Sequence, residues 1–379
     1  MAEAMPAAPA GDLQRERELL LNVGPQHPST HGVLRVIAKL NGETIVTAQP
    51  DIGYLHRCFE KLAESKSYPM VMPYTDRTDY LGAITNEWVY ALAVEKLLGV
   101  EVPERAEYIR VIAAEMQRVC SHLLWFGTFA LDLGAVTPFL YAFRERETLY
   151  DLYEQLTGAR LLYNYLRIGG VRNDMPNGFV EKLVDLLDFL EKKAFNEYRV
   201  LLTGNRIFEV RTLNVGELSS QDAIAWGASG PVLRGSGVKW DLRRDAPYSV
   251  YDRFDFEVPV GKDPGDVYDR YAMRMREMEE SVKIIRQALQ QLPTGEIMGK
   301  VPKIIKPPKG EVYTRVEAPR GEVGCYLISD GTTNPYRLHW RSPCYTHLQL
   351  IPLLSPGFKV ADLVAIIGSI DIVLGEVDR

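Results

Sequence analysis

Apolar and polar positions set out two regimes along the chain. Leu34, Val36, Ala38 and Leu40 alternate with Arg35, Ile37 and Lys39, a period of two that marks a half-buried strand, and Asn41-Gly42 is a hairpin signal. Leu19–Val23 is a candidate preceding strand, which leaves His27 and His31 on a loop between strands. From about Ala83 the period becomes helical and runs to Leu98, with a stop at Gly99 and a restart after Pro103, a residue suited to a first helical turn. Ile109, Ile112, Met116, Val119 and Leu123 then repeat at helical spacing. Further helices are expected around Glu145–Tyr165, Gly178–Leu202 and Val267–Leu292, the last with Glu279 and Lys283 spaced for an ion pair. After a connection rich in Pro, Lys and Gly between Pro293 and Gly310, a strand pattern returns at Tyr336, Leu338 and Trp340, following an Asp330-Gly331 turn.

The fold class expected is therefore α+β, mainly α. A flexible tail over residues 1–18 precedes a β-rich region over 19–75 that carries the His loop. A helical domain over 76–379 follows, with a β excursion at about 310–342.

Val119–Phe143 is the one stretch that imitates a membrane span, because its 25 residues hold Asp132 as their only formal charge. His122, Gly127, Asp132, Gly134 and Pro138 interrupt it, so a buried core helix ending near Gly134 is expected, and no transmembrane segment. The formal charge of −6 argues against a nucleic-acid partner. Cys58, Cys120, Cys325 and Cys344 form no Cys-x-x-Cys pair, so no zinc ribbon or cluster-binding run is present, and reduced thiols are expected. Gly295–Val301 is one residue short of a phosphate-binding loop, and Gly235-Ser-Gly237 lacks the third glycine of a dinucleotide fingerprint, so no nucleotide site is expected on this chain.

Three groups of polar residues stand out. Glu115, Arg118 and His122 form a stripe on an apolar helix, expected to be internally ion-paired rather than a metal site, since only one imidazole contributes. Asp76-Arg77-Thr78-Asp79-Tyr80 precedes a helix, where capping by Asp79 is the simplest role. The His27/His31 loop, among Gly, Pro, Ser and Thr, is either an ordinary surface turn or a ligand loop.

Taken together, Val23–Gly32, Asp51–Arg57, Ala93–Leu98, Asp132–Pro138, Phe143–Glu147, Ile168–Val171, Ser281–Ile285 and Gly375–Arg379 resemble, in order, one family over nearly the whole chain. It is the quinone-pocket subunit, the D-type subunit of bacteria, of complex I type NADH:quinone oxidoreductases, which is related to the large subunit of nickel-iron hydrogenases. The resemblance implies a hydrogenase-large-subunit-like helical bundle with a small N-terminal antiparallel β region and a C-terminal β hairpin region. It places Asp79, Gly82, Val373 and Glu376 at the four positions where hydrogenases carry metal-binding thiolates. Nickel and low-spin iron in such a centre need those soft ligands, so no metal is expected on this chain.

By the same resemblance Tyr80 and His31 are the catalytic hydrogen-bond donors to the quinone headgroup. Asp132 pairs with the His31 imidazole, and His27, Asp371 and Glu376 line the pocket. Arg57 and Arg77 lie near an Fe–S cluster supplied by a partner subunit. Quinone is the implied substrate, and this chain alone binds no cofactor. The implied partners are the Fe–S cluster subunit, the adjacent C-type subunit of the peripheral arm and a quinone-channel membrane subunit, with this chain peripheral on the cytoplasmic face of the membrane. Two readings stay open beside it: a complex fed by ferredoxin or another donor, and a non-catalytic scaffold of a membrane hydrogenase-type complex. Two positions depart from the family pattern. Cys58 stands where Gly is frequent, with packing as its expected role, and Leu162 stands where many relatives carry a His. Metal analysis of the purified assembly is expected to find no nickel bound to this chain; stoichiometric nickel on it would contradict the reading.

Overall fold

The alternation at 34–40 becomes the middle strand of a three-stranded sheet in the computed structural model of the protein, which describes residues 18–25 and 32–379. β1 (Glu18–Val23), β2 (Arg35–Asn41) and β3 (Thr44–Asp51) are antiparallel neighbours in that order. Leu34, Val36, Ala38 and Leu40 are all buried, as a period of two requires for one face against the core. Ile45 N–H donates to Phe358 O (2.8 Å) and Gly357 N–H to Ile45 O (2.9 Å), which ties this sheet to the last part of the chain.

Helices follow. α1 (Phe59–Glu64) and α2 (Tyr68–Thr75) lead into α3 (Ala83–Leu98), which ends at Gly99 in the left-handed conformation expected of a C-terminal glycine. α4 (Glu104–Asp132) starts directly after Pro103, and α5 (Val136–Thr157) runs back along it. A small ribbon, β4 (Leu166–Arg167) with β5 (Gly170–Val171), precedes a rod from Phe179 to Thr203. In that rod a π turn at Leu190–Ala194 joins α6 (Phe179–Phe189) to α7 (Phe195–Tyr198), and a second at Arg199–Thr203 follows α7. Four short helices, α8 (Arg206–Thr212), α9 (Ser220–Ala225), α10 (Gly230–Gly235) and α11 (Leu242–Asp245), precede the long α12 (Val267–Gln291). A second antiparallel sheet of β6 (Gly310–Ala318), β7 (Gly321–Ser329) and β8 (Arg337–Arg341) is followed by α13 (Pro343–Leu348), α14 (Ile351–Leu354), α15 (Val360–Ile370) and α16 (Leu374–Asp378). The mainly helical α+β class expected from the pattern is the class observed. Among the described residues no helix is long and apolar enough to cross a membrane; the tract at 119–143 is the end of α4 and the start of α5.

Two expectations differ. The helix expected over Glu145–Tyr165 lies at Val136–Thr157, because Gly158 in the left-handed region ends it and Glu87 draws the chain away by accepting from Tyr165 N and Leu166 N. Glu279 and Lys283 do not pair: Lys283 reaches Glu280 (2.6 Å) and Glu279 pairs with Arg199 of the second π turn.

The contact between α4 and α12 positions everything that follows. α4 presents Glu115, Arg118, His122 and Trp125 to it, and α12 presents Arg270, Arg274, Glu277 and Ser281, positions that in a coiled-coil seam are apolar. All are buried. Glu115 accepts from Arg118 Nε (3.1 Å), Arg243 Nη1 (3.1 Å), Tyr251 Oη (2.7 Å) and Ser281 Oγ (2.7 Å). Glu277 accepts from Arg234 Nε (2.9 Å) and Nη2 (2.7 Å) and lies 3.0 Å from His122 Nε2. The internally paired stripe expected from spacing is thus extended by partners on four other segments. Burial alone would raise the Glu115 carboxyl, but Arg118 and Arg243 bring it down to about 2, so it is ionised at every physiological pH. Glu115→Gln keeps the shape but leaves the buried Arg118 guanidinium without its carboxylate, while Arg243 keeps Asp241, so a loss of about 3 kcal/mol or more is expected. A thermal unfolding midpoint of the variant assembly equal to that of the parent would contradict this.

Candidate active site

β6 and β7 are joined by a two-residue turn, Pro319-Arg320, whose tip is pressed against Ser229-Gly230. A Cβ on Gly230 would lie 2.5 Å from Gly321 Cα, and both residues have positive φ, so only glycine lets the turn seat there. The turn drives the Arg320 side chain inward, where it is fully buried. Its Nη1 donates to Asp79 Oδ2 (2.9 Å) and Ser121 Oγ (3.2 Å), its Nη2 to Asp371 Oδ1 (3.3 Å), and its Nε to Asp371 O (2.9 Å). One guanidinium therefore bridges α4, the segment before α3 and the end of α15, where Asp371 sits in the left-handed conformation as C-cap.

This corrects the capping role for Asp79: Gly82 occupies the N-cap of α3, and the Asp79 carboxylate goes to Arg320 and to Leu81 N (2.9 Å). The four positions aligned with metal-binding thiolates do converge at this bridge. A Cβ on Gly82 would lie 2.6 Å from Asp79 Oδ2, and Val373 N donates to Cys344 Sγ (3.4 Å). Glu376 lies beside Cys344, Asp79 and Arg320 and is 1% exposed. Its nearest polar neighbours are the thiol and backbone N–H of Cys344, and among the described residues neither carboxyl oxygen has a hydrogen bond of good geometry. Among the described residues there is no cluster of three or more His, Cys, Asp or Glu placed to hold a metal ion, and the buried positive charge at this point is that of Arg320.

Electrostatics follow from this packing. Burial, then the neighbouring Asp79 charge, push the Glu376 carboxyl up to about 7, well above the usual carboxylate range. Asp79 is raised by burial against the pull of Arg320. Burial and then the Asp79 charge also raise the Tyr80 hydroxyl, which stays protonated, a donor rather than a phenolate. Arg320 keeps its charge because Asp371 and Asp79 outweigh its burial.

Of the residues singled out in the sequence, the structure brings Tyr80, Asp371 and Glu376 to one cluster. Asp132 is half-buried at the end of α4. His27 and His31 lie outside the described residues. Arg57 and Arg77 are exposed and adjacent, Arg57 Nη2 donating to Arg77 O (2.6 Å). Asp378 fixes the loop before them by accepting from Gly53 N (2.9 Å) and Leu55 N (2.7 Å). Cys58 is exposed with φ of 57°, which corrects its expected packing role and explains why glycine suits the position. A surface cavity of about 480 Å³ opens beside it, lined by His56, Cys58, Glu60, Arg337, Tyr345 and Arg379, without Tyr80 or Arg320. Arg320, Cys344 and Ser121 were not singled out in the sequence, since each reaches the cluster from a distant segment with no local pattern.

The Glu376 shift predicts a pH effect of definite sign. Its folded pKa of about 7 lies above the ordinary 4.5, so the folded state binds the extra proton and stability falls as pH rises from about 4.5 through 7. Glu376→Gln imitates the protonated acid. The variant assembly should melt at the parent's temperature near pH 5 and above it near pH 8.5; a lower midpoint at the higher pH would contradict the assignment.

Comparison with known proteins gives the family. The model of the respiratory-chain NADH dehydrogenase 49 kDa subunit matches residues 132–309 and 301–379. The second of the D-type NADH-quinone oxidoreductase subunits of Symbiobacterium thermophilum is 58% identical over 384 residues, covering 97% of this chain and all of that protein. The corresponding D-type proteins of Geobacillus kaustophilus and Bacillus cereus are 56% and 55% identical over 365 residues, with 96% of this chain and 99% of each relative covered. With the helical fold, the two small sheets and coverage on that scale, the chain belongs to the 49 kDa subunit family of respiratory-chain NADH dehydrogenases, the D-type subunits of NADH-quinone oxidoreductase.

Proposed function

We propose that this chain forms the quinone headgroup site of its complex and passes electrons from an Fe–S cluster of a partner subunit to quinone, in a reaction coupled to proton translocation. The observation that carries the reading is the Tyr80 hydroxyl beside the Asp79–Arg320–Asp371 bridge, held protonated in a cluster without a thiolate pair.

Reducing a quinone to quinol takes two electrons from the cluster and two protons, and both carbonyl oxygens become more basic as charge arrives. Tyr80 supplies a hydrogen bond, and then a proton, to one oxygen. His31 serves the other, with Asp132 favouring its protonated ring, and His27 completes the wall. Asp371 and Glu376 form the acidic wall, the natural place for quinone chemistry to perturb charge that the membrane arm senses. Arg57 and Arg77, exposed and adjacent, face the Fe–S subunit, where cationic charge raises the electron affinity of its cluster. The C-type subunit of the peripheral arm and the quinone-channel membrane subunit are the other neighbours, and the chain sits peripherally on the cytoplasmic face. It binds no cofactor of its own and has no activity alone.

Tyr80→Phe keeps the ring and removes the hydroxyl. The variant complex is expected to assemble, to transfer electrons from NADH to an artificial acceptor upstream, and to lose about 10²-fold or more of its quinone reduction rate. Reduction of short-chain quinone at the parent rate would place the headgroup elsewhere.

A further inference from the structure

Polar atoms without partners gather around one buried guanidinium. Arg274 Nη1 donates to Arg270 O (3.1 Å) and Ser369 O (2.8 Å), and its plane lies 4.3 Å over the Trp125 ring. Its Nε and Nη2 have no hydrogen-bond partner among the described residues. Nor has Asp371 Oδ2, 3.7 Å from Nε. Two imidazoles lie close enough to Arg274 to feel its charge. His122 uses Nε2 toward Glu277, which leaves Nδ1 unmatched; His347 accepts from Ser229 N at Nε2 (3.2 Å), so its proton is on Nδ1, also unmatched. Burial keeps both rings neutral, His347 brought down to about 3 with the Arg341 and Arg274 charges adding to the effect.

Leaving each such atom bare costs about 1–3 kcal/mol, and native interiors satisfy such groups with ordered water. Donors on Arg274 and His347 and acceptors on His122 and Asp371 offer water the two to four partners it needs. This group of side chains has neighbours on two sides. Arg341, near His347, is 28% exposed and reaches the surface beside Gly227, while Asp371 belongs to the Arg320 bridge at Tyr80. Asp371 and Glu277 offset the Arg274 charge that would otherwise repel a proton.

We propose that these groups hold an internal water cluster that feeds protons from the surface beside Arg341 to the Asp371–Glu376 wall and on to Tyr80. The proposal rests on the headgroup reading above. When Tyr80 gives its proton to the reduced quinone, the phenolate recovers one along the waters: each O–H broken is matched by one formed, solvent supplies the proton, and the electrons come from the partner's cluster. His122 and His347 are positioning residues that anchor waters and are not themselves relays.

Glutamine distinguishes anchoring from packing. His347→Gln keeps an acceptor for Ser229 N, His122→Gln keeps a donor for Glu277, and both delete Nδ1. In the intact complex each is expected to slow quinone reduction about tenfold or more while leaving the NADH rate with an artificial acceptor unchanged. The solvent deuterium isotope effect on quinone reduction should rise. Either variant carries the test if the other fails to assemble. Parent rates and isotope effects in both would overturn the proposal, and so would slow rates with an unchanged isotope effect, which is the mark of a packing defect. Tyr80→Phe measured alongside separates the readings: if it reduces quinone normally the headgroup placement fails, and if it alone is inactive only the water feed fails.

Discussion

Everything at the site depends on where the Arg320 guanidinium is held. It is delivered by a hairpin tip that glycine alone allows to seat, and it joins Asp79, Ser121 and Asp371 from three separate segments. Two carboxylates this deep would repel each other and take up protons without a cation between them. The bridge thus fixes the relative position of the chain before α3, which carries Tyr80, and the turn after α15, which leads to Glu376. The positive charge at this point comes from a buried side chain that is held by hydrogen bonds to two carboxylates and a hydroxyl.

The charged contact between α4 and α12 is the second half of the same design. Apolar residues there would pack with less desolvation, and buried ion pairs are weak sources of net stability. Charge in that contact constrains register instead, because Glu115 and Glu277 each have one arrangement that satisfies them. The helices are held in register from Ser281 down to Arg274, and Arg274 hands the network to Asp371. A change of charge at the Arg320 bridge is therefore felt along a line of groups in low dielectric, where electrostatic effects carry further than in water.

Local chemistry explains which parts of this were legible in the sequence. The strand at Arg35–Asn41 and the helix at Ala83–Leu98 were readable because period, glycine and proline signals agreed there. Tyr80, Asp371 and Glu376 were located by resemblance, and the structure gathers them. The Asp79–Arg320 pair was not readable, since its partners are 241 residues apart and neither lies in a periodic segment; the local rule pointed to capping instead. Glu279 shows the same failure on a smaller scale, where a rule for neighbours on one helix lost to Arg199 on another. Cys58 was misjudged because a side chain in the left-handed region of an exposed turn leaves no signature in composition.

The proposed headgroup position is against Tyr80, next to the Arg320 bridge, and a structure of the intact assembly with a short-chain quinone bound would show it. One carbonyl oxygen is expected within about 3 Å of Tyr80 Oη, at hydrogen-bonding distance. A headgroup bound elsewhere, with Tyr80 making no contact to it, would rule the position out.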